Sequence, residues 1–148
     1  MKLKTKYSWD TFHTYVLNIK EQIITRPDIV VSIGKGGSIP GVILAEVYGV
    51  NNLNFGLKSY DKQDRGKIFE YQSLSHFDLL RDMNILLVDD IADSGATFIY
   101  SVKKLKQNYC DAVQTAAVFY KPCSTFRPDY FGVEVDSEAW IVQPWEED

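Results

Sequence analysis

The chain has 148 residues, 45% of them hydrophobic and 24% charged, with a formal net charge of −4. That bounds it to one domain with an ordinary core. The acidity argues against broad electrostatic binding to nucleic acid, and no apolar run approaches the roughly 20 residues of a membrane span.

Met1 to Lys6 is basic, but no apolar region follows, so no secretory signal is expected. Ser8 then caps an expected helix, with Trp9, Phe12, Val16, Ile19 and Ile23 forming its apolar stripe and Pro27 ending it. His13 rides on this helix with no ligand partner at metal spacing, which makes it a surface residue.

A strand is expected at Asp28–Ile33, followed by the loop Gly34-Lys35-Gly36-Gly37-Ser38 and a helix through Val42–Tyr48 with Pro40 in its first turn. Glycines let main chain approach a ligand closely. Both common nucleotide fingerprints fail here, because Ile39 occupies the last glycine of GxGxxG and Gly36 follows the Gly34-Lys35 pair. Asn51–Leu57 reads as a short strand. The polar stretch from Lys58 to Ser75 reads as a long loop or hairpin, with Arg65-Gly66-Lys67 inside it and Ile68–Tyr71 alternating.

Ile85–Val88 is an apolar run that reads as a buried parallel strand. Asp89 and Asp90 follow it, then Asp93 and the small-residue loop Ser94-Gly95-Ala96-Thr97, then Phe98, Val102 and Leu105 at helical spacing. Such a loop offers backbone N–H groups and a helix N-terminus to a phosphate. Its carboxylates suit a metal ion or sugar hydroxyls. A further strand is expected within Ala112–Tyr120, ending at Lys121-Pro122, with short β-prone pieces beyond it. Cys110 and Cys123 lack CxxC spacing and read as free thiols in a reducing cytoplasm.

Alternating strands and helices imply an α/β domain with a mostly parallel sheet, whose ligands gather at the carboxyl ends of the strands. Lys35, Asp89, Asp90, Asp93 and Lys121 fall on that rim. A phosphorelay receiver domain also pairs carboxylates with a Lys-Pro. In that domain, however, the acidic pair follows the first strand and another strand-end Asp precedes the Lys, and neither holds here.

The segment Leu87-Val88-Asp89-Asp90-Ile91-Ala92-Asp93-Ser94-Gly95-Ala96-Thr97 resembles the phosphoribosyl-diphosphate (PRPP) motif of type I phosphoribosyltransferases. Gly34–Gly37 resembles that family's pyrophosphate loop. Ser8-Trp9-Asp10, Ser59-Tyr60-Asp61, Lys121-Pro122 and Trp140-Ile141-Val142-Gln143-Pro144-Trp145 extend the likeness nearly end to end with the small bacterial xanthine-guanine group.

The resemblance implies one domain over residues 1–148, with a core over 1–120 and a small hood over 121–148. It implies transfer of the phosphoribosyl group from PRPP to a 6-oxopurine, with Mg²⁺ as cofactor and a homodimer or homotetramer as assembly. PRPP contacts are implied at Lys35, Gly36, Gly37, Arg65, Asp89, Asp90, Ser94, Gly95, Ala96 and Thr97, with the metal at Asp90. Purine contacts are implied at Asp93 (also a possible acid/base), Lys121, Trp140 and Ile141, with Trp145 structural. A cis peptide is expected at Lys35-Gly36. Lys35 stands where that group carries Arg, which keeps the charge and loses bidentate geometry. Two alternatives remain at this stage: a hypoxanthine-preferring enzyme and a non-catalytic PRPP or nucleotide sensor.

Overall fold

The computed structural model describes residues 4–59 and 67–147. In chain order the elements are β1 (Lys4–Lys6), α1 (Trp9–Gln22), β2 (Ile29–Ile33), α2 (Ser38–Tyr48), β3 (Asn51–Ser59), β4 (Ile68–Gln72), α3 (Phe77–Leu80), β5 (Ile85–Ala92), α4 (Ala96–Gln107), β6 (Val113–Tyr120), β7 (Tyr130–Glu134) and β8 (Trp140–Val142). The main sheet has six strands in the order β4-β3-β2-β5-β6-β7. All its pairings are parallel except β3 with β4, the hairpin that flanks residues 60–66.

Both faces of the sheet are covered, and the alternation of side chains along the strands shows how. Val31, Ile85 and Leu87 join Phe98 and Leu105 of α4 in one cluster. Val30, Leu86 and Val88 join Phe12, Val16 and Ile19 of α1 and Leu44 of α2 in the other. Strands buried on both sides read as apolar runs, which is why Ile29–Ile33, the buried Ser32 apart, and Ile85–Val88 are apolar.

Ser8 caps α1 as its sequence predicts, its hydroxyl accepting from the Thr11 N–H at 3.1 Å. The helix stops at Gln22 rather than at Pro27, because Ile23 turns extended (φ −73°, ψ 122°). Helix α2 ends at Gly49 in the left-handed region (φ 65°), the usual device for closing a helix.

Two features of the C-terminal third differ from expectation. Tyr130–Glu134 is the edge strand of the main sheet, paired with β6, so the sheet continues past residue 120. The separate hood is a two-stranded parallel pair in which Lys4 lies opposite Trp140 and Lys6 opposite Val142. The N-terminal strand is therefore half of the hood.

Candidate active site

Strands β2 and β5 lie side by side and parallel at the centre of the sheet. From β2 the chain moves outward to β3 by way of α2; from β5 it moves the other way to β6 by way of α4. The helices pack in opposite-face clusters. The strand order thus reverses between β2 and β5, and the crevice at their carboxyl ends is the position where open α/β sheets bind ligands.

The loop after β2 enters this crevice with little room to spare. Gly34 takes φ 59°, and its N–H donates to the Phe55 carbonyl at 2.7 Å. A Cβ on Gly37 would stand 2.5 Å from the Ile33 carbonyl oxygen and 2.6 Å from that of Val88. One on Gly36 would stand 2.6 Å from the Asp90 carboxyl carbon. Asn54 braces the loop from β3, donating to the Gly34 carbonyl at 2.9 Å and to the Ser38 hydroxyl at 2.7 Å. Among the described residues every peptide bond is trans, Lys35-Gly36 included, which corrects the cis expectation. Left-handed Gly34 and the bonds from Gly37 N–H to the Ile33 carbonyl (3.1 Å) and from Ser38 N–H to that of Lys35 (3.2 Å) form the turn instead.

Asp89 and Asp90 are not past the end of the strand: β5 runs through them to Ala92. Asp89 is 8% exposed, accepting from the Asp90 N–H at 2.8 Å and from the Thr97 hydroxyl at 3.2 Å. Asp90 accepts from the Gln143 amide at 3.2 Å. Burial, with the Asp90 charge second, pushes the Asp89 carboxyl well above the usual carboxylate range. Burial also raises Asp90, and the Glu146 charge adds to this. Two adjacent carboxylates, Asp89 buried and Asp90 half-buried, both held above their normal pKa, are a donor set that an added cation would relieve. Gly36 keeps side-chain atoms off Asp90, and among the described residues no group of three acidic, His or Cys side chains forms a metal cluster. Mg²⁺ takes few carboxylates and keeps its waters, so the pair fits that ion.

The loop after β5 turns through Gly95 (φ 88°) into α4, whose first N–H groups lack intrahelical partners. Ser94 holds one of them, its hydroxyl accepting from Ala96 N–H at 3.2 Å. Next to this lies a cleft of about 410 Å³ lined by Asp90, Asp93, Lys121, Trp140, Ile141 and Gln143. Lys121 is 7% exposed and reaches the Asp93 carboxylate at 3.5 Å. Trp140 is 53% exposed, with the Lys4 ammonium 4.9 Å from its ring centre. A second cleft of about 400 Å³ is lined by Lys35, Leu57, Lys58 and Tyr71.

The structure thus gathers Lys35, Gly36, Gly37, Asp89, Asp90, Asp93, Ser94–Thr97, Lys121, Trp140 and Ile141 along one rim. Arg65 lies outside the described residues. His13 is exposed on α1, and Trp145 packs against Phe12 with ring centres 5.2 Å apart, a structural role. The sequence reading missed Gln143, which is 3% exposed with its Oε1 buried and unpartnered. A glutamine between the apolar Trp140–Val142 run and Pro144 was the available clue. Lys6 was also missed; its ammonium donates to the carbonyls of Gln143 (3.1 Å) and Glu146.

Two glycine-bearing strand-to-helix loops and a carboxylate pair thus flank the crevice at the ends of β2 and β5. The family model for the phosphoribosyl transferase domain matches residues 9–148, and the chain belongs to the phosphoribosyltransferase family. The chain is 28% identical over 160 residues to the xanthine-guanine phosphoribosyltransferase of Vibrio atlanticus (strain LGP32), covering 99% of this chain and 91% of that protein. A purine phosphoribosyltransferase from Pyrococcus horikoshii superimposes with a TM-score of 0.86 at 28% identity, covering 98% of this chain and 95% of its own. The Helicobacter pylori xanthine-guanine-hypoxanthine enzyme superimposes with a TM-score of 0.78 at 26% identity, covering 97% and 94%.

Proposed function

We propose that this phosphoribosyltransferase moves the 5-phosphoribosyl group from PRPP to a ring nitrogen of a 6-oxopurine (guanine, xanthine or hypoxanthine), releasing pyrophosphate. The observation that carries this reading is the cleft beside the Ser94–Thr97 loop, in which Asp93, Lys121 and Trp140 meet. Its lining sets a carboxylate, an ammonium and an aromatic face beside the crevice at the ends of β2 and β5. The names of the similar Vibrio, Pyrococcus and Helicobacter proteins support the choice of a purine.

In this reading the 5′-phosphate is held by backbone N–H groups of the Ser94–Thr97 loop and the α4 N-terminus. Pyrophosphate takes the N–H groups of Gly36 and Gly37 and the Lys35 ammonium, with Lys58 and Tyr71 lining the adjoining cleft. Asp89 faces the ribose hydroxyls, and Asp90 holds Mg²⁺. When bound, that ion supplies positive charge to the pyrophosphate.

At the base, the Lys121–Asp93 pair opens: Lys121 Nζ donates to the purine 6-oxo group, and Asp93 accepts the imidazole N–H. The attacking ring nitrogen gains electron density as that proton shifts toward Asp93 Oδ2, and the glycosidic bond forms as the bond from C1′ to pyrophosphate breaks. The sugar gains oxocarbenium character, so the protein's work is orientation, charge placement and exclusion of water. Trp140 stacks on the base. The free thiols, buried Cys110 and exposed Cys123, support a reducing compartment such as the cytoplasm.

The test is incubation with PRPP, Mg²⁺ and each of guanine, xanthine, hypoxanthine and adenine, with nucleotide and pyrophosphate measured together. Equal release of both with at least one 6-oxopurine is expected. Tight PRPP binding without turnover of any base would favour the sensor reading, and preferred turnover of adenine would remove Lys121 from its role.

A further inference from the structure

We propose that Thr125, in the loop between β6 and β7, is a positioning residue for the phosphate loop: it fixes the orientation of the peptide groups that meet the 5′-phosphate. The inference rests on the phosphoribosyl reading above and adds a residue to it. Three successive carbonyls, from the last residue of β5 into the phosphate loop, are taken by the segment that follows β6. The Lys121 N–H donates to the Ala92 carbonyl at 3.1 Å. The Cys123 thiol lies 3.8 Å from the Asp93 carbonyl oxygen. Thr125 donates twice to the Ser94 carbonyl, from its N–H at 3.0 Å and from its hydroxyl at 2.7 Å.

In a trans peptide the C=O and the following N–H point in opposite directions. Holding the carbonyls of Ala92, Asp93 and Ser94 toward the Lys121–Thr125 segment therefore turns the N–H groups of Asp93, Ser94 and Gly95 away from it. The Ser94-Gly95 peptide needs the most restraint, since Gly95 at φ 88° has the freest backbone in the loop. It also receives the most. Two donors meet the Ser94 oxygen, and the same loop lies flat on Gly95. A Cβ there would stand 2.7 Å from Phe126 N, 2.8 Å from Ser124 Oγ and 2.9 Å from Thr125 Oγ1. Phe126 closes the clamp by stacking on Phe98 of α4, with ring centres 5.1 Å apart and planes 6° off parallel. A Ser94 carbonyl turned the other way would present its oxygen to the phosphate and remove a donor from it.

The 5′-phosphate lies away from the bonds that change at C1′. A loosened clamp should therefore weaken binding alike in ground and transition states, raising KM for PRPP while sparing kcat. Thr125→Val keeps the shape and the backbone N–H and removes only the hydroxyl donor; Thr125→Ser restores that donor. For Thr125→Val the expected result is a roughly three- to tenfold rise in KM for PRPP, the span of one hydrogen bond, with kcat and KM for the base within about twofold. Thr125→Ser should match the wild type.

A second arm uses guanosine 5′-monophosphate and guanosine as calorimetric probes. Thr125→Val should weaken the nucleotide by the same factor and leave the nucleoside unchanged. An unchanged KM for PRPP and unchanged nucleotide affinity would overturn the proposal. So would an equal loss for PRPP and base that Ser does not rescue, which is the mark of a merely structural residue. If the wild type turns over no base, the transfer reading fails, and the nucleotide arm still tests the clamp. A wild type that binds the nucleotide no better than the nucleoside defeats the clamp itself.

Discussion

Gly36 carries the sharpest residue-scale consequence of this geometry. A Cβ at that position would stand 2.7 Å from each oxygen of Asp90 as well as 2.6 Å from its carboxyl carbon. Asp90 also accepts from the Gln143 amide at 3.2 Å, so a carboxylate displaced by the new Cβ would strain that bond. Gly36→Ala is expected to lower kcat/KM by about a hundredfold, the cost of misplacing a reacting group by an ångström, with a nearly unchanged melting curve. Steady-state kinetics beside a thermal melt checks both halves. Lys121 invites the complementary change. Lys121→Gln removes the charge that pairs with Asp93 at 3.5 Å and can present either a donor or an acceptor to the purine 6-position. Its ratio of 6-oxopurine to adenine turnover should fall by about tenfold or more, read from competition between the two bases. Gly36 and Lys121 stood out in the sequence because each follows a strand within a few residues. Their partners did not. Lys121 meets Asp93 from 28 residues away and Gln143 meets Asp90 from 53, distances over which no local pattern carries information.

At the scale of elements, two attachments hold the working segments in place. The first is the N-terminal strand. Lys6 sits on β1, opposite Val142 of β8, and its ammonium ties the carbonyls of Gln143 and Glu146. Lys6→Met keeps much of the stem and removes those donors, so the Gln143–Glu146 turn should loosen while the Ser94–Thr97 loop does not. KM for the base is expected to rise several-fold with KM for PRPP unchanged, and Lys6→Arg should recover part of the loss. The second attachment is Glu70 of β4, which accepts from the Tyr100 hydroxyl and pairs with Lys104 of α4 at 3.5 Å. Burial raises its pKa, but hydrogen bonds from Tyr100 and Ser73 and the Lys104 ammonium outweigh that and hold it below the ordinary value of 4.5. A carboxylate depressed in the folded state stabilises the protein above its unfolded pKa, and that stability is lost as pH falls through the folded value. Urea unfolding of Glu70→Gln should therefore show lower stability at pH 7 and a smaller further loss on acidification below about pH 5 than the wild type.

The whole molecule explains why one half of the fold was readable from sequence and the other was not. Ile29–Tyr48 and Ile85–Gln107 are contiguous strand–loop–helix units, so their order of apolar run, glycine loop and amphipathic stripe stands in the sequence itself. The hood depends on pairing Lys4 with Trp140 across nearly the full chain, and β7 depends on a register against β6 that four half-buried residues and one exposed residue do not announce. Because the central crevice draws on both readable units, a ligand there can be bound only by the assembled sheet. Binding to the native state alone adds stability by mass action, about 2.7 kcal/mol at a hundred times Kd. For a domain of this length that corresponds to a rise of roughly 5–10 °C in Tm. PRPP with Mg²⁺ should produce it, and PRPP with a chelator should produce much less, since the Asp89–Asp90 pair then faces the ligand without a compensating cation. Base alone should shift Tm little, because the cleft proposed for it is completed by a hood of two three-residue strands. Equal shifts with and without chelator would mean that the carboxylate pair meets the ribose hydroxyls alone.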